Sequence, residues 1–266
     1  MLFRQLKQTN RFFLIAGPCV IERADLCLEI ARYMRKVCHR LQIPYIFKAS
    51  FDKANRSSGH SYRGPGFDHG IEILAKIRKD LQIPILSDVH NENQAIVAGK
   101  VLDVIQIPAF LCRQTDLLRA AASTKRIVNV KKGQFLAPGD MKNIVEKMHA
   151  FGNRKLLLTE RGSCFGYHNL VTDMRSIPIM RSLGCPVIFD ATHSVQLPGG
   201  QGDHSGGQGE FAPILACAAM AAGAEGLFVE THPNPSTSPS DGPNMIPLNQ
   251  MNALLKRLSK LKTALK

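Results

Sequence analysis

Residues 187–193 read Val-Ile-Phe-Asp-Ala-Thr-His, a short run of strand-type apolar residues that ends in Asp190 and His193. The same form recurs seven more times. Apolar runs at Phe12–Gly17, Tyr45–Phe47, Pro84–Leu86, Val104–Ile107, Ile127–Val130, Leu156–Leu158 and Gly226–Val229 lead into polar residues suited to chemistry. Those residues include Cys19, Lys48, Asp88, His90, Lys131, Lys132, Glu160, Arg161, Glu230 and His232. A short run of Val, Ile and Phe bounded by Gly, Pro or charge reads as a buried parallel strand. The segments between the runs are long enough for crossover helices. Eight such units predict an α/β fold of the (β/α)8, or TIM, barrel type, with its active site at the C-terminal ends of the strands.

The 266 residues fit a single (β/α)8 barrel domain spanning 1–266, since that fold typically takes about 250 residues. No linker divides the chain. A hydrophobic fraction of 44% supports a large core. The formal net charge of +13 fits either a polyanionic partner or an anionic small molecule. The placement of the cations favours the second: Lys48, Lys53, Arg56, Arg63, Arg113, Lys131, Lys132 and Arg161 lie at strand ends and in the loops after them. With no Trp, four Tyr and no zinc-finger spacing, no nucleic-acid partner is expected. Seven cysteines without a CxxC motif argue for a reducing compartment. The run before Cys19 is shorter than a secretory core of roughly 7–15 residues. No run reaches transmembrane length. A cytoplasmic protein without membrane insertion is expected.

Helical spacing marks Asp25–Arg40, Ile71–Leu81, Gly209–Gly223 and Met251–Leu265, the last with a basic, solvated outer face. Long loops are expected at Asp52–Gly66, at Ser194–Glu210 with its six Gly, and at Thr231–Asn244. In a barrel, all three crowd the same mouth.

Lys48, Lys53, Asn55, Arg56, Ser57 and Ser58 fall within one strand end and its loop, while Lys131, Lys132 and Arg161 end strands five and six. Lys and Arg bind phosphate and carboxylate through charge-assisted hydrogen bonds. Their convergence calls for a substrate set with several negative charges. The competing reading is a rim of ion pairs with Asp52, Asp88 and Glu160. Cys19, His193, Glu230 and Asp241 follow strands one, seven and eight, which are neighbours in a closed barrel. Thiolate, imidazole and carboxylates suit a borderline divalent ion, with His204 and His232 as alternative ligands. Asp88 and His90 leave strand three, placed to bind sugar hydroxyls or to move protons. No P-loop, nucleophile elbow or dinucleotide fingerprint occurs, so no organic cofactor is expected.

The string Lys53-Ala54-Asn55-Arg56-Ser57-Ser58 resembles the signature of the 3-deoxy-D-manno-octulosonate 8-phosphate synthase family. Ala16–Cys19, Gln106–Leu118, Asn129–Phe135, Leu158–Gly162, Asp190–Gly200 and Val229–Pro233 resemble the same family, so the likeness runs from the first strand to the last. The resemblance implies a (β/α)8 barrel, usually a homotetramer. It implies condensation of phosphoenolpyruvate with arabinose 5-phosphate and water for lipopolysaccharide synthesis. Lys48, Lys53, Lys131 and Arg161 would hold phosphoenolpyruvate, with Gln106 nearby. Asn55, Arg56, Ser57 and Asp88 would hold the sugar phosphate, and Arg113 would reach its phosphate from a neighbouring subunit. His90 would line the reacting centre, and Asp88, His90, Lys131 and Asp241 form the expected catalytic group. Metal-dependent members carry Cys in the first-strand motif, so Cys19 implies a divalent ion such as Zn, Fe or Mn. His193, Glu230 and Asp241 would complete its ligands. Asp241–Met245 (DGPNM) departs toward the metal-free pattern. Two other readings stand beside this one. The related erythrose 4-phosphate synthase carries a Lys-Pro-Arg type motif where this chain has KANRSS. A non-catalytic polyanion binder would show salt-dependent binding without turnover.

Overall fold

The computed structural model describes residues 1–8, 11–55, 58–201 and 204–265. Eight parallel strands form a closed ring: β1 (Phe13–Gly17), β2 (Tyr45–Lys48), β3 (Ile85–Asp88), β4 (Val104–Ile107), β5 (Ile127–Lys131), β6 (Leu156–Glu160), β7 (Val187–Asp190) and β8 (Gly226–His232). Each pairs with the next, and β8 returns to β1 with Phe13 opposite Gly226 and Gly17 opposite Glu230. The (β/α)8 barrel expected from the eight runs is therefore formed.

The strands alternate sides with period two. Their lower inward positions make one apolar layer of Phe13, Ile15, Ile46, Leu86, Val104, Ile127, Leu157, Ile188 and Phe228. Two residues further along most of these strands the layer turns polar: Lys48, Asp88, Gln106, Asn129, Thr159, Asp190 and Glu230, all buried. The outward positions pack against the helices in a second, larger cluster. The closeness of β1 to β2 requires Gly17, because a Cβ there would overlap the Lys48 carbonyl.

Helices α1 (Leu2–Lys7), α2 (Ala24–Leu41), α3 (Phe67–Leu81), α4 (Glu92–Ala98), α5 (Thr115–Ser123), α6 (Met141–Ala150), α7 (Ser176–Arg181), α8 (Ala212–Ala221) and α9 (Met251–Ala264) complete the regular structure. Helix α1 closes the N-terminal end of the barrel. Its Leu6 is buried against the inner apolar layer, with Leu2 and Phe3 packed alongside. The seventh loop departs from expectation. Within it, Gln196–Gln201 and His204–Gly207 pair as an antiparallel ribbon, and Gly209–Phe211 is a 3-10 turn that precedes α8. The eighth loop also starts later than expected, since Thr231 and His232 belong to β8 and pair with Ile246 and Pro247. No helix among the described residues is long and apolar enough to cross a membrane. All seven cysteines are free thiols.

Candidate active site

A cavity of about 530 Å³ opens at the C-terminal ends of the strands. Lys53, Asn55, Asp88, His90, Gln106, Lys131, Arg161, His193 and Asp241 line it, so most of the expected site residues converge there. Arg56 and Ser57 lie outside the described residues, as does the side chain of His204.

The cations divide into two groups. Lys48 lies beneath the cavity floor at 1% exposure, where its Nζ donates to Glu230 Oε1 (2.6 Å) and to the Cys19 carbonyl (2.7 Å). Lys131 donates to Asp190 Oδ2 (2.5 Å) and stands 3.9 Å from the centre of the Phe228 ring. Burial lowers the Lys131 pKa, and the neighbouring Lys48 charge adds to that against the pull of Asp190. Lys53 and Arg161 are less fully matched. Lys53 Nζ lies 3.8 Å from Glu230 Oε1. Burial opposes its charge, but the surrounding acidic groups outweigh that and raise its pKa. Arg161 is buried, gives one nitrogen to Gln196 Oε1 (2.7 Å), and keeps Nη1 without a partner. A buried guanidinium nitrogen without an acceptor is costly unless an anion completes it.

Two expected cations serve elsewhere. Lys132 does not join the anion-binding set. Its Nζ, at 1% exposure, donates to the carbonyls of Gly133 and Leu136 (both 3.2 Å) and to Ser163 Oγ (3.3 Å), with Glu160 Oε1 at 3.6 Å. Strand alternation explains this, since Lys131 and Lys132 point to opposite faces. Arg63 forks onto Asp52 at the surface through Nε (2.8 Å) and Nη2 (2.5 Å). Arg113 is exposed and is not among the residues lining the cavity of its own chain.

On the opposite wall, His90 Nε2 lies 3.2 Å from Asp88 Oδ2, and Ser50 Oγ donates to Asp88 Oδ1 (2.5 Å). Burial opposes the charge on both groups. Their mutual hydrogen bond, the charges of Lys53 and Lys48 acting on Asp88, and those of Asp88 and Asp52 acting on His90 together outweigh it. The His90 pKa is raised and that of Asp88 is held well below the usual carboxylate range. Gln106 accepts from Asn129 Nδ2 (3.0 Å), and Asn129 accepts from Thr159 Oγ1 (2.7 Å). This chain commits the Gln106 oxygen and leaves its amide nitrogen for the cavity.

Cys19, Glu230 and Asp241 bring one ligand atom each within 4.8 Å of one another. Cys19 Sγ donates to Asp241 Oδ2 (3.1 Å) and lies 2.8 Å from Ser240 Oγ. Burial, with the charge of Glu230 added, pushes the Cys19 pKa up. A divalent cation inverts that logic by replacing the thiol proton. His193 stands just outside the trio, with Nε2 3.5 Å from Glu230 Oε1 and Nδ1 2.8 Å from Asp190 Oδ2. Burial lowers its pKa, which favours the neutral imidazole that ligates metals. The donor set of thiol, carboxylates and neutral imidazole fits a borderline divalent ion. His232 points elsewhere: its Nδ1 accepts from the Asn234 N–H (3.0 Å), and its Nε2 lies 3.5 Å from Glu22.

A model of the DAHP synthetase I family matches residues 7–266. The chain belongs to the DAHP synthetase I family. Within curated proteins, this family member is 60% identical over 248 residues to a protein of Trichlorobacter lovleyi, covering 93% of this chain and 91% of that one. It is 58% identical over 254 residues to a protein of a Cyanothece species, covering 96% and 93%. A protein of Acidithiobacillus ferrooxidans is 58% identical over 247 residues, covering 93% and 88%. All three carry the name 2-dehydro-3-deoxyphosphooctonate aldolase. The site of this family member also uses residues that the sequence reading assigned no role. Asn129 and Thr159 sit at alternate positions from Ile127 and Leu157, so the strand period alone marks them as inward-facing. Gln196 carries no such periodic signal.

Proposed function

We propose that this enzyme condenses phosphoenolpyruvate with D-arabinose 5-phosphate and water. The products are 3-deoxy-D-manno-octulosonate 8-phosphate and inorganic phosphate, the former feeding lipopolysaccharide synthesis. The reading places the enzyme in the cytoplasm as a homotetramer of single-domain chains acting on small phosphorylated molecules. The observation that carries it is the convergence of Lys53, Lys131 and the half-paired Arg161 on one cavity, facing the Asp88–His90 pair. The names of the relatives select the aldehyde.

Lys53, Lys131 and Arg161 neutralise the phosphate and carboxylate of phosphoenolpyruvate, with Lys48 charging the floor from below and Gln106 donating from the wall. Asn55, Arg56, Ser57 and Asp88 hold the sugar phosphate. Arg113 lends its charge to a neighbouring subunit. C3 of the enol attacks the aldehyde carbon, water adds at C2 as positive charge develops there, and phosphate leaves by C–O cleavage. Holding two anions in line supplies the orientation that a bimolecular encounter lacks, and the fixed cations match charge as it moves. Asp88 and His90 hold and move protons at the aldehyde oxygen. Cys19, Glu230 and Asp241, with His193 beside them, would hold a divalent ion that polarises an oxygen ligand.

The test is phosphate release from phosphoenolpyruvate with arabinose 5-phosphate, before and after chelator treatment. Release that disappears on stripping and returns with a divalent ion is the expected result. Release that survives stripping makes Cys19 a bystander. Release with erythrose 4-phosphate alone overturns the substrate assignment.

A further inference from the structure

One side-chain amide stands between the anion-binding and ion-binding halves of the cavity. Gln196 follows the 3-10 turn His193–Val195 and opens the ribbon of the seventh loop. Its Oε1 accepts from Arg161 Nη2 (2.7 Å), and its Nε2 donates to Asp241 Oδ1 (3.0 Å). The other Asp241 oxygen accepts from Cys19 Sγ (3.1 Å). Arg161 Nη1, the remaining terminal nitrogen of the same rigid guanidinium, has no partner.

The chemistry fixes which way the amide faces. A guanidinium only donates and a carboxylate only accepts. The bridging group must therefore accept at one end and donate at the other. Glu in its place would set a carboxylate against Asp241, and Lys would set a cation against Arg161. Met fills the same space and makes neither bond. Asn is one methylene short of spanning both.

The backbone of Asp241 adds a second observation. It holds φ 54° and ψ 21°, the left-handed region that a non-glycine residue adopts at a cost. Its carboxylate is aimed by the bonds at its two oxygens, one from Gln196 and one from Cys19. An anion seated on Arg161 Nη1 acts on a planar fork whose other arm already holds Gln196. Reorienting the fork therefore reorients the amide, and through it Asp241.

We infer that Gln196 is a positioning residue that couples anion binding at Arg161 to divalent-ion binding at Asp241, an inference that rests on the proposed ion site. Part of the coupling is direct attraction between ion and anion, which Gln196 does not carry. The remainder passes through the amide and disappears with it.

The experiment titrates chelator-stripped full-length protein with Cd2+ and follows the ultraviolet thiolate-to-cadmium band, with and without saturating phosphoenolpyruvate. The ratio of the two Cd2+ dissociation constants is the coupling factor. By linkage, Cd2+ changes phosphoenolpyruvate affinity by the same factor. In Gln196→Met the band persists and the factor falls by about fivefold, the low end of usual coupling factors. Gln196→Asn gives the same loss and serves if the Met variant folds poorly. A purely structural role weakens both affinities and leaves the factor unchanged, and that result overturns the inference. A wild-type band that survives Cys19→Ser overturns the ion site itself, and this inference with it.

Discussion

Replacing Lys132 with Met tests whether a strand-end lysine is structural or substrate-facing. Its Nζ joins the loop after β5, through Gly133 and Leu136, to the loop after β6, through Ser163. The substitution removes these bonds and, among the described residues, the only ion-pair partner of Glu160. Glu160 is 1% exposed. It would keep the backbone N–H groups of Arg161 (2.9 Å) and Gly162 (2.7 Å), while Oε2 already has no partner. Removing one member of a buried pair costs about 3–5 kcal/mol, because the other charge stays buried. For 266 residues the unfolding entropy is about 0.56 kcal/mol/K, at ~2.1 cal/mol/K per residue. The expected fall in Tm is thus about 5–9 °C. With no Trp in the chain, circular dichroism at the helix band is the assay. Adding Glu160→Gln removes the stranded charge and recovers part of the loss, as a double-mutant cycle reads. A Tm within about 1 °C of wild type, the range of ordinary surface changes, together with lost phosphoenolpyruvate affinity, would refute the structural role.

Three further outcomes are expected. Cys19→Asn abolishes the chelator sensitivity of turnover or lowers turnover itself, and unchanged, still chelator-sensitive activity removes Cys19 from the ion site. The folded His90 pKa is raised, so its contribution to stability is full below the unfolded value of about 6.5 and is lost as pH rises through the folded value. The Tm gap between wild type and His90→Gln therefore narrows from pH 6 to pH 9, and a gap independent of pH contradicts the Asp88 pairing. Leu6→Ala opens a void beneath the inner apolar layer at a cost of about 2–5 kcal/mol. Because Leu6 sits at the far end from the cavity, the KM for phosphoenolpyruvate stays put; a raised KM would mean that the two ends are not independent.

The barrel was legible because each of its strands is an apolar run of a few residues, and such runs have few other uses when helical segments separate them. The strand-end residues were legible for the same reason. Adjacency to Lys131 in the sequence misplaces Lys132, because strand alternation sends neighbours to opposite faces. The same period marks Asn129 and Thr159 as inward-facing. Gln196 is different. Its role depends on Arg161 and Asp241 arriving from 35 and 45 residues away, and no local pattern encodes that meeting. The ribbon in the seventh loop was hidden because its many glycines read as loop rather than strand.

The seam between β1 and β8 has a consequence for synthesis. Cys19 and Asp241 are 222 residues apart and meet only across that seam. A chain emerging from the ribosome exposes the thiol early and its carboxylate partners last. Until Glu230 and Asp241 are made and the ring shuts, the thiol lacks the acidic neighbours with which it would form the proposed divalent site. Ion capture at the proposed site would therefore report that the last strand has docked, and would distinguish finished barrels from truncated ones.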